Sequence, residues 1–427
     1  MRVPHTGVIA GSLCHVESSC APSQYLLIRL TQLAVGRTEP PKRSLGMVPR
    51  GSSEPQTLSA INCNHIKESE VNKLIMPADT VDFVDVAQPI AESFAVCKSG
   101  KVYSVPQLLN NEIFQAILND IDTFIFDADG VLWLGESAIA GSPAFIDYLI
   151  AQNKQVIVLT NNATKSRETY AKKFEKLGYN RRLSKENIVN PAAVVADTLH
   201  QTGIQDTDKK VYLIGGQGIK DELKELDIKY FGDGIDPIDN QSSSKGAAFL
   251  YNIDLEEKQD NVGAVVVGYE KYFNYCKLMK AANYLQSEDC MFMATNEDET
   301  CPGPNPNTII PDAGPLVAAV KVAAGREPLV VGKPNTPAFE YICRRWKIDT
   351  NRTMMIGDRT NTDVKFGKDH GLRTMLVLSG CHQVDDIVEN RLNEREDMVP
   401  DFYALCLGAL LPQQIQDAER EEMERYY

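Results

Sequence analysis

From about residue 106 onward, short apolar runs alternate with segments of helical spacing, and this alternation restricts the fold more tightly than anything else in the chain. The runs fall at 123–126, 155–160, 210–214, 264–267, 291–294, 329–331, 353–356 and 374–378. They are too short for helices and apolar at successive positions, as strands buried on both faces are. Between them, Leu108, Leu109, Ile113, Phe114, Ile117 and Leu118 recur at helical spacing, and Tyr170, Phe174 and Leu177 mark a helix closed by Gly178. Such a chain is expected to be α/β, with largely parallel sheets. Ligands of parallel sheets bind beyond the carboxyl ends of the strands, so the residues that follow each run are the candidates for function.

Composition narrows the partners. A chain of 427 residues holds two or three folded units, and 43% hydrophobic with 24% charged residues excludes wholesale disorder. Its most apolar stretch, 25–35, is short and carries Arg29, which excludes a membrane span. The 58 acidic and 44 basic side chains give a net charge of −14, which argues against a non-specific grip on nucleic acid or anionic lipid. Ten scattered cysteines form no C-x-x-C pair and read as reduced, intracellular thiols.

Residues 1–105 carry few periodic apolar segments, and 36–53 is rich in Pro, Ser and Gly. They are expected to be a poorly ordered extension, so that a truncation near residue 100 folds and keeps its kcat. The first fifty residues place Arg2, Arg29, Arg37, Lys42, Arg43 and Arg50 against Glu17 and Glu39, a weak likeness to an organellar presequence. The expected compartment is the cytoplasm, with mitochondrial import as the alternative.

Four strand ends carry chemistry. The first run leads into Asp127-Ala128-Asp129-Gly130, two carboxylates one residue apart; by itself this reads equally as a polar turn. An EF-hand loop is excluded, because its glycine stands sixth and Gly130 stands fourth. Thr160-Asn161-Asn162 precedes a helix start near Ser166, which suits either an anion or a simple N-cap. Lys333 follows 329–331, and Asp358 and Asp363 follow 353–356. Together they offer what a hard cation and a phosphoryl group require: carboxylates, a lysine, a hydroxyl and a helix start.

In order, Asp127-x-Asp129-Gly130-Val131-Leu132-Trp133, Thr160-Asn161-Asn162, Gly332-Lys333-Pro334 and Gly357-Asp358-Arg359 with Asp363 resemble the four motifs of the haloacid dehalogenase superfamily of phosphatases. The wording is similar to the p-nitrophenyl phosphatase subfamily, which includes phosphoglycolate and pyridoxal phosphatases. The resemblance covers about 106–395. It implies a Rossmann-like core, 106–203 and 328–410, with an α/β cap inserted at 204–327; it does not reach the first hundred residues or the acidic tail, read as 411–427. It further implies Asp127 as nucleophile and Asp129 as general acid and base. Mg²⁺ would be held by Asp127, the Asp129 carbonyl, Asp358 and Asp363, the phosphoryl group by Thr160, Asn161, Asn162 and Lys333. The implied partner is a small phosphate ester, and a homodimer through the cap follows by analogy.

The family's specificity loop is expected at 295–304. It is acidic and lacks the histidine of the pyridoxal phosphatase branch, which favours substrates such as 2-phosphoglycolate or p-nitrophenyl phosphate. Gly215-Gly216-Gln217-Gly218 lacks the third glycine of a dinucleotide fingerprint and reads as a turn in the cap. His200, His370 and His382 show no metal-ligand spacing.

Overall fold

The structure is a computed structural model that describes residues 94–96, 102–104, 106–236, 259–301 and 308–426. All of them fall within one compact unit, Asp82–Tyr427. The presequence reading and most of the expected extension lie outside the described residues. Strands β1 (Phe94–Val96) and β2 (Val102–Ser104) form an antiparallel pair, which a cut at residue 100 would divide.

The larger sheet has seven parallel strands: β3 (Gln107–Leu108), β4 (Thr123–Phe126), β7 (Gln155–Leu159), β8 (Ile188–Val189), β16 (Thr353–Gly357), β17 (Arg373–Val377) and β18 (Phe402–Ala404). A small hairpin, β5 (Trp133–Leu134) with β6 (Ser137–Ala138), stands beyond β4. The spatial order β3-β18-β17-β16-β4-β7-β8 puts β4 and β16 side by side, so their carboxyl ends share one rim. A second parallel sheet runs β10 (Tyr230–Phe231), β9 (Lys210–Ile214), β11 (Val262–Val267), β12 (Met291–Ala294) and β15 (Leu329–Val330). The hairpin β13 (Thr300–Cys301) with β14 (Ile310–Pro311) follows β12. This is the α/β architecture expected, a parallel-sheet core carrying an inserted α/β cap.

Two boundaries differ from expectation. The expected return to the core at 328 is corrected, because β15 hydrogen-bonds to β12 and completes the cap sheet; the chain leaves the cap only after it. The helix expected from Leu108 begins at Asn111: the Asn110 side chain accepts from Ile113 N (2.9 Å), while Gln107–Leu108 pairs with β18. The acidic tail is the helix Gln413–Tyr426. No helix among the described residues is long and apolar enough to cross a membrane. The described cysteines form no disulfide with one another.

The two sheets share an apolar interior. Ile125 and Ile157 of the core, the helix Pro191–Gln201, and Val266 and Met293 of the cap belong to one buried cluster. A buried pair reinforces it: Arg167, at the start of the helix Arg167–Lys176, sets its guanidinium against Glu222 of the cap helix Gln217–Glu225, with Nε to Oε2 at 2.9 Å and Nη2 to Oε2 at 2.8 Å. The glycine-rich turn set aside above has its reason here. A Cβ on Gly218 would stand 2.4 Å from the carbonyl oxygen of Ala163, so only glycine lets this cap helix approach the loop after β7.

Candidate active site

The loops after β4, β7, β15 and β16 converge on one buried cluster of charge. Asp127, Asp358 and Asp363 each offer a carboxylate oxygen within 4.8 Å of the others, and all three side chains are buried. Lys333, 3% exposed, reaches in from the end of the cap sheet. Its Nζ donates to Asp127 Oδ1 (2.6 Å), Asp363 Oδ1 (2.7 Å) and the Leu159 carbonyl (2.9 Å), which uses all three ammonium hydrogens. Gly130 makes the crowding feasible: at φ +86° it needs no Cβ, and one would fall 2.3 Å from Asp358 Oδ2.

The electrostatics follow from burial. Desolvation raises the Asp127 carboxyl well above the usual range, opposed by Lys333 and reinforced by Asp363 and Asp358. Asp358 is pushed up to about 6 by burial and by the neighbouring Asp363 charge. Burial works against the charge on Lys333, yet the flanking Asp127 and Asp363 carboxylates outweigh it and hold its pKa above the ordinary lysine value. Three buried carboxylates against one ammonium leave surplus negative charge among oxygen donors only. That is the donor set of a hard divalent cation, whose charge would relieve the repulsion.

Asp129 is set apart. Its carboxylate lies outside the three-carboxylate cluster, and Oδ1 accepts the indole N–H of Trp133 at 2.8 Å. Trp133 is fully buried, stacked on Tyr170, edge-on to Phe174, with Lys173 Nζ 4.2 Å from its ring centre. The second residue of the D-x-D pair is therefore free of the other acids and fixed in direction.

Thr160 is buried, with Oγ1 accepting Asn162 N (3.1 Å) and its side chain hydrogen-bonded to the Tyr170 phenol. Asn162 Oδ1 caps Thr164 N at 3.0 Å. The Asn161 side chain is committed to the cap loop and to Lys333. Its amide donates to Asp298 Oδ2 (3.1 Å) and the Lys333 carbonyl (3.0 Å), and its Oδ1 accepts Lys333 N (2.8 Å). Both hydrogens are thus spent holding Lys333 and the cap loop in place. Of the expected specificity loop, 295–301 is described and 302–304 lies outside the described residues.

Sequence reasoning missed a fifth strand end. The run 374–378 is legible in the sequence, whereas Ser379, Gly380 and Cys381 after it carry no motif and His382 no ligand spacing. Ser379 Oγ donates to the Gly130 carbonyl (2.7 Å), Cys381 N to Asp358 Oδ2 (2.7 Å), and His382 N to the Asp358 carbonyl (3.0 Å). The available signal was the rule already in use, that residues beyond each strand of a parallel sheet line the site.

Family comparisons agree with this geometry. A model of haloacid dehalogenase-like hydrolases matches residues 124–229, and a second, of HAD-hydrolase-like domains, matches 330–405. The chain belongs to the haloacid dehalogenase-like hydrolases. Among particular relatives, glycerol-3-phosphate phosphatase of Rattus norvegicus is 35% identical over 310 residues, covering 71% of this chain and 94% of that protein. Phosphoglycolate phosphatase 1A, chloroplastic, of Arabidopsis thaliana is 38% identical over 302 residues, 69% of this chain and 78% of that one. A protein of Caenorhabditis elegans named for NipSnap is 40% identical over 63% of this chain, which spans about half (49%) of its length. The solved 4-nitrophenylphosphatase of Thermotoga maritima superposes with a TM-score of 0.54 at 29% identity, covering 69% of this chain and 97% of its own.

Proposed function

We propose that this chain hydrolyses small phosphate monoesters by passing the phosphoryl group first to Asp127 and then to water, with Mg²⁺ as the cation. The observation that carries the reading is the division of labour among the carboxylates: Asp127 gripped by Lys333 beside Asp358 and Asp363, and Asp129 turned away onto Trp133. Uncatalysed hydrolysis of such esters is so slow that the site must lower the barrier by on the order of 20 kcal/mol, which positioned charge supplies.

In the first step an Asp127 oxygen attacks phosphorus in line, the ester P–O bond breaks, and the leaving oxygen takes a proton from Asp129. In the second step Asp129 takes a proton from water as the water oxygen attacks the same phosphorus. The P–O bond to Asp127 breaks, releasing phosphate and restoring both carboxyl groups. Lys333 opposes the effect of burial on Asp127 and so favours its anionic form, and the Thr160 hydroxyl would donate to a phosphoryl oxygen. Asp127, Asp358 and Asp363, with the Asp129 carbonyl, would hold Mg²⁺, which when bound screens the repulsion between anionic nucleophile and anionic ester.

The preferred ester in this reading is 2-phosphoglycolate rather than pyridoxal phosphate. The loop 295–304 has no histidine, and the half-buried Arg359, held charged by Asp358, Asp298 and Asp363, would meet a substrate carboxylate. The second candidate is glycerol 3-phosphate, favoured by the 94% span shared with the rat enzyme of that name. The proposal extends to a cytoplasmic homodimer joined through the cap, supported by exposed Leu329 on the edge strand β15 and exposed Val322 on the helix before it. Light scattering and a reporter fused to residues 1–60 test those two points.

Phosphate release from 2-phosphoglycolate, glycerol 3-phosphate and pyridoxal phosphate, compared as kcat/KM with and without Mg²⁺, tests the function. Asp127→Asn should abolish release while leaving the fold intact. Near wild-type turnover by that variant, or full activity in excess chelator, would overturn the mechanism.

A further inference from the structure

The chemistry above gives His382 no role, yet its side chain is wired to the turn that delivers two of the acids. That turn is a wide, π-helical one, Thr360–Val364, directly after Asp358. Its first carbonyl, on Arg359, accepts from both Asp363 N (3.1 Å) and Val364 N (3.2 Å). Arg359 N in return donates to Asp363 Oδ2 at 3.0 Å. Wide turns of this kind are uncommon and are found frequently at functional sites.

Support comes from the imidazole. The Thr360 backbone N–H, in a residue only 2% exposed, donates to His382 Nδ1 at 2.9 Å. The Thr360 hydroxyl stands 3.0 Å from the same nitrogen, and buried Asn390 donates Nδ2 to that hydroxyl at 3.0 Å. Asn390 therefore fills the acceptor side of the hydroxyl, whose hydrogen turns to Nδ1. Both Thr360 donors end on one lone pair, which requires the neutral ring with its hydrogen on Nε2. Meanwhile His382 N holds the Asp358 carbonyl at 3.0 Å. One residue thus touches the turn on both sides, Asp358 through its backbone and Thr360 through its ring.

We propose that His382 is a positioning residue for the cation site: its Nδ1 lone pair anchors the Thr360 peptide and so sets Asp363 against Asp358 at the separation a divalent cation needs. The inference rests on the cation site described under Proposed function. His382 has no metal-ligand spacing, and in this role it supports ligands without being one. Groups that orient metal ligands typically change affinity by about 10- to 100-fold when removed. The acceptor is a single atom at the Nδ1 position. Asparagine can place its Oδ1 there, whereas glutamine presents its oxygen one bond further out, near Nε2.

The test is Mg²⁺ binding to the full chain by titration calorimetry, beside thermal melting of the same samples without metal. His382→Ala should weaken Mg²⁺ about tenfold or more, His382→Asn should return to within about threefold of wild type, and His382→Gln should stay weak. Mg²⁺ affinity within twofold of wild type in His382→Ala, or equal recovery by the Asn and Gln variants, overturns the proposal. If His382→Ala does not fold, the Asn against Gln comparison alone decides. Asp358→Asn serves as the control: if it binds Mg²⁺ as tightly as wild type, the cation site itself is wrong and the role of His382 falls with it.

Discussion

Replacing Trp133 by phenylalanine should separate the two chemical steps of this enzyme. The indole N–H is the group that directs Asp129, at 2.8 Å, and a hydrogen bond to a charged partner is worth about 1.5–3 kcal/mol. Its loss predicts a fall of roughly 10- to 150-fold in any step that depends on Asp129 as acid or base. Phenylalanine keeps an aromatic ring between Tyr170 and Phe174, so the core should lose only the cost of a small cavity, about 1–2 kcal/mol. The assay is kcat/KM for two esters. From glycerol 3-phosphate the glycerol oxygen would leave as an alkoxide and needs the proton, whereas p-nitrophenolate leaves without one. Because kcat/KM reads only up to formation of the phosphoenzyme, the glycerol ester should fall by at least tenfold more than the nitrophenyl ester. With the nitrophenyl ester, slowed attack of water should also produce a burst of about one nitrophenolate per site. Equal losses on both esters without a burst, in a variant that melts near wild type, would refute the assignment of Trp133 and Asp129 to the acid–base role.

Lys333→Met leaves the Asp127 and Asp363 carboxylates facing each other without an ammonium, and breaking a buried pair in this way should cost about 3–5 kcal/mol in metal-free urea unfolding. Added Mg²⁺ should restore part of that loss; a cost below about 1 kcal/mol would mean that the cluster is better hydrated than its burial indicates. The raised carboxyl of Asp358, near 6, predicts that metal-free stability falls as pH rises from the unfolded value near 4 through about 6, because the folded state holds its proton longer. Protons and Mg²⁺ compete for the same oxygens, so the gain in Tm from Mg²⁺ should grow between about pH 5 and pH 7. An equal gain at both pH values would contradict the burial of that group.

Much of this protein is legible locally. Strand positions such as 123–126, 210–214 and 291–294 follow from apolar runs that must be buried on both faces, and the acids and lysine of the site stand within a few residues of strand ends. Those are properties of neighbouring residues, which periodicity and chemistry report directly. The short strands β3, β8 and β18 escaped notice, because strands of two or three residues show no period and form only where a neighbour offers its edge.

What the tertiary structure alone decided are the partnerships between distant segments. Lys333 meets Asp127 across 206 positions, and the Asn161 side chain meets Asp298, 137 positions away. The assignment of Leu329–Val330 to the cap sheet, the grip of Trp133 on Asp129, and the brace formed by Cys381 and His382 behind Asp358 belong to the same class. A side chain with several donors or acceptors carries no local mark of which it will satisfy. Only when burial removes water as a partner does the packing of one segment on another select the bond, and so the role.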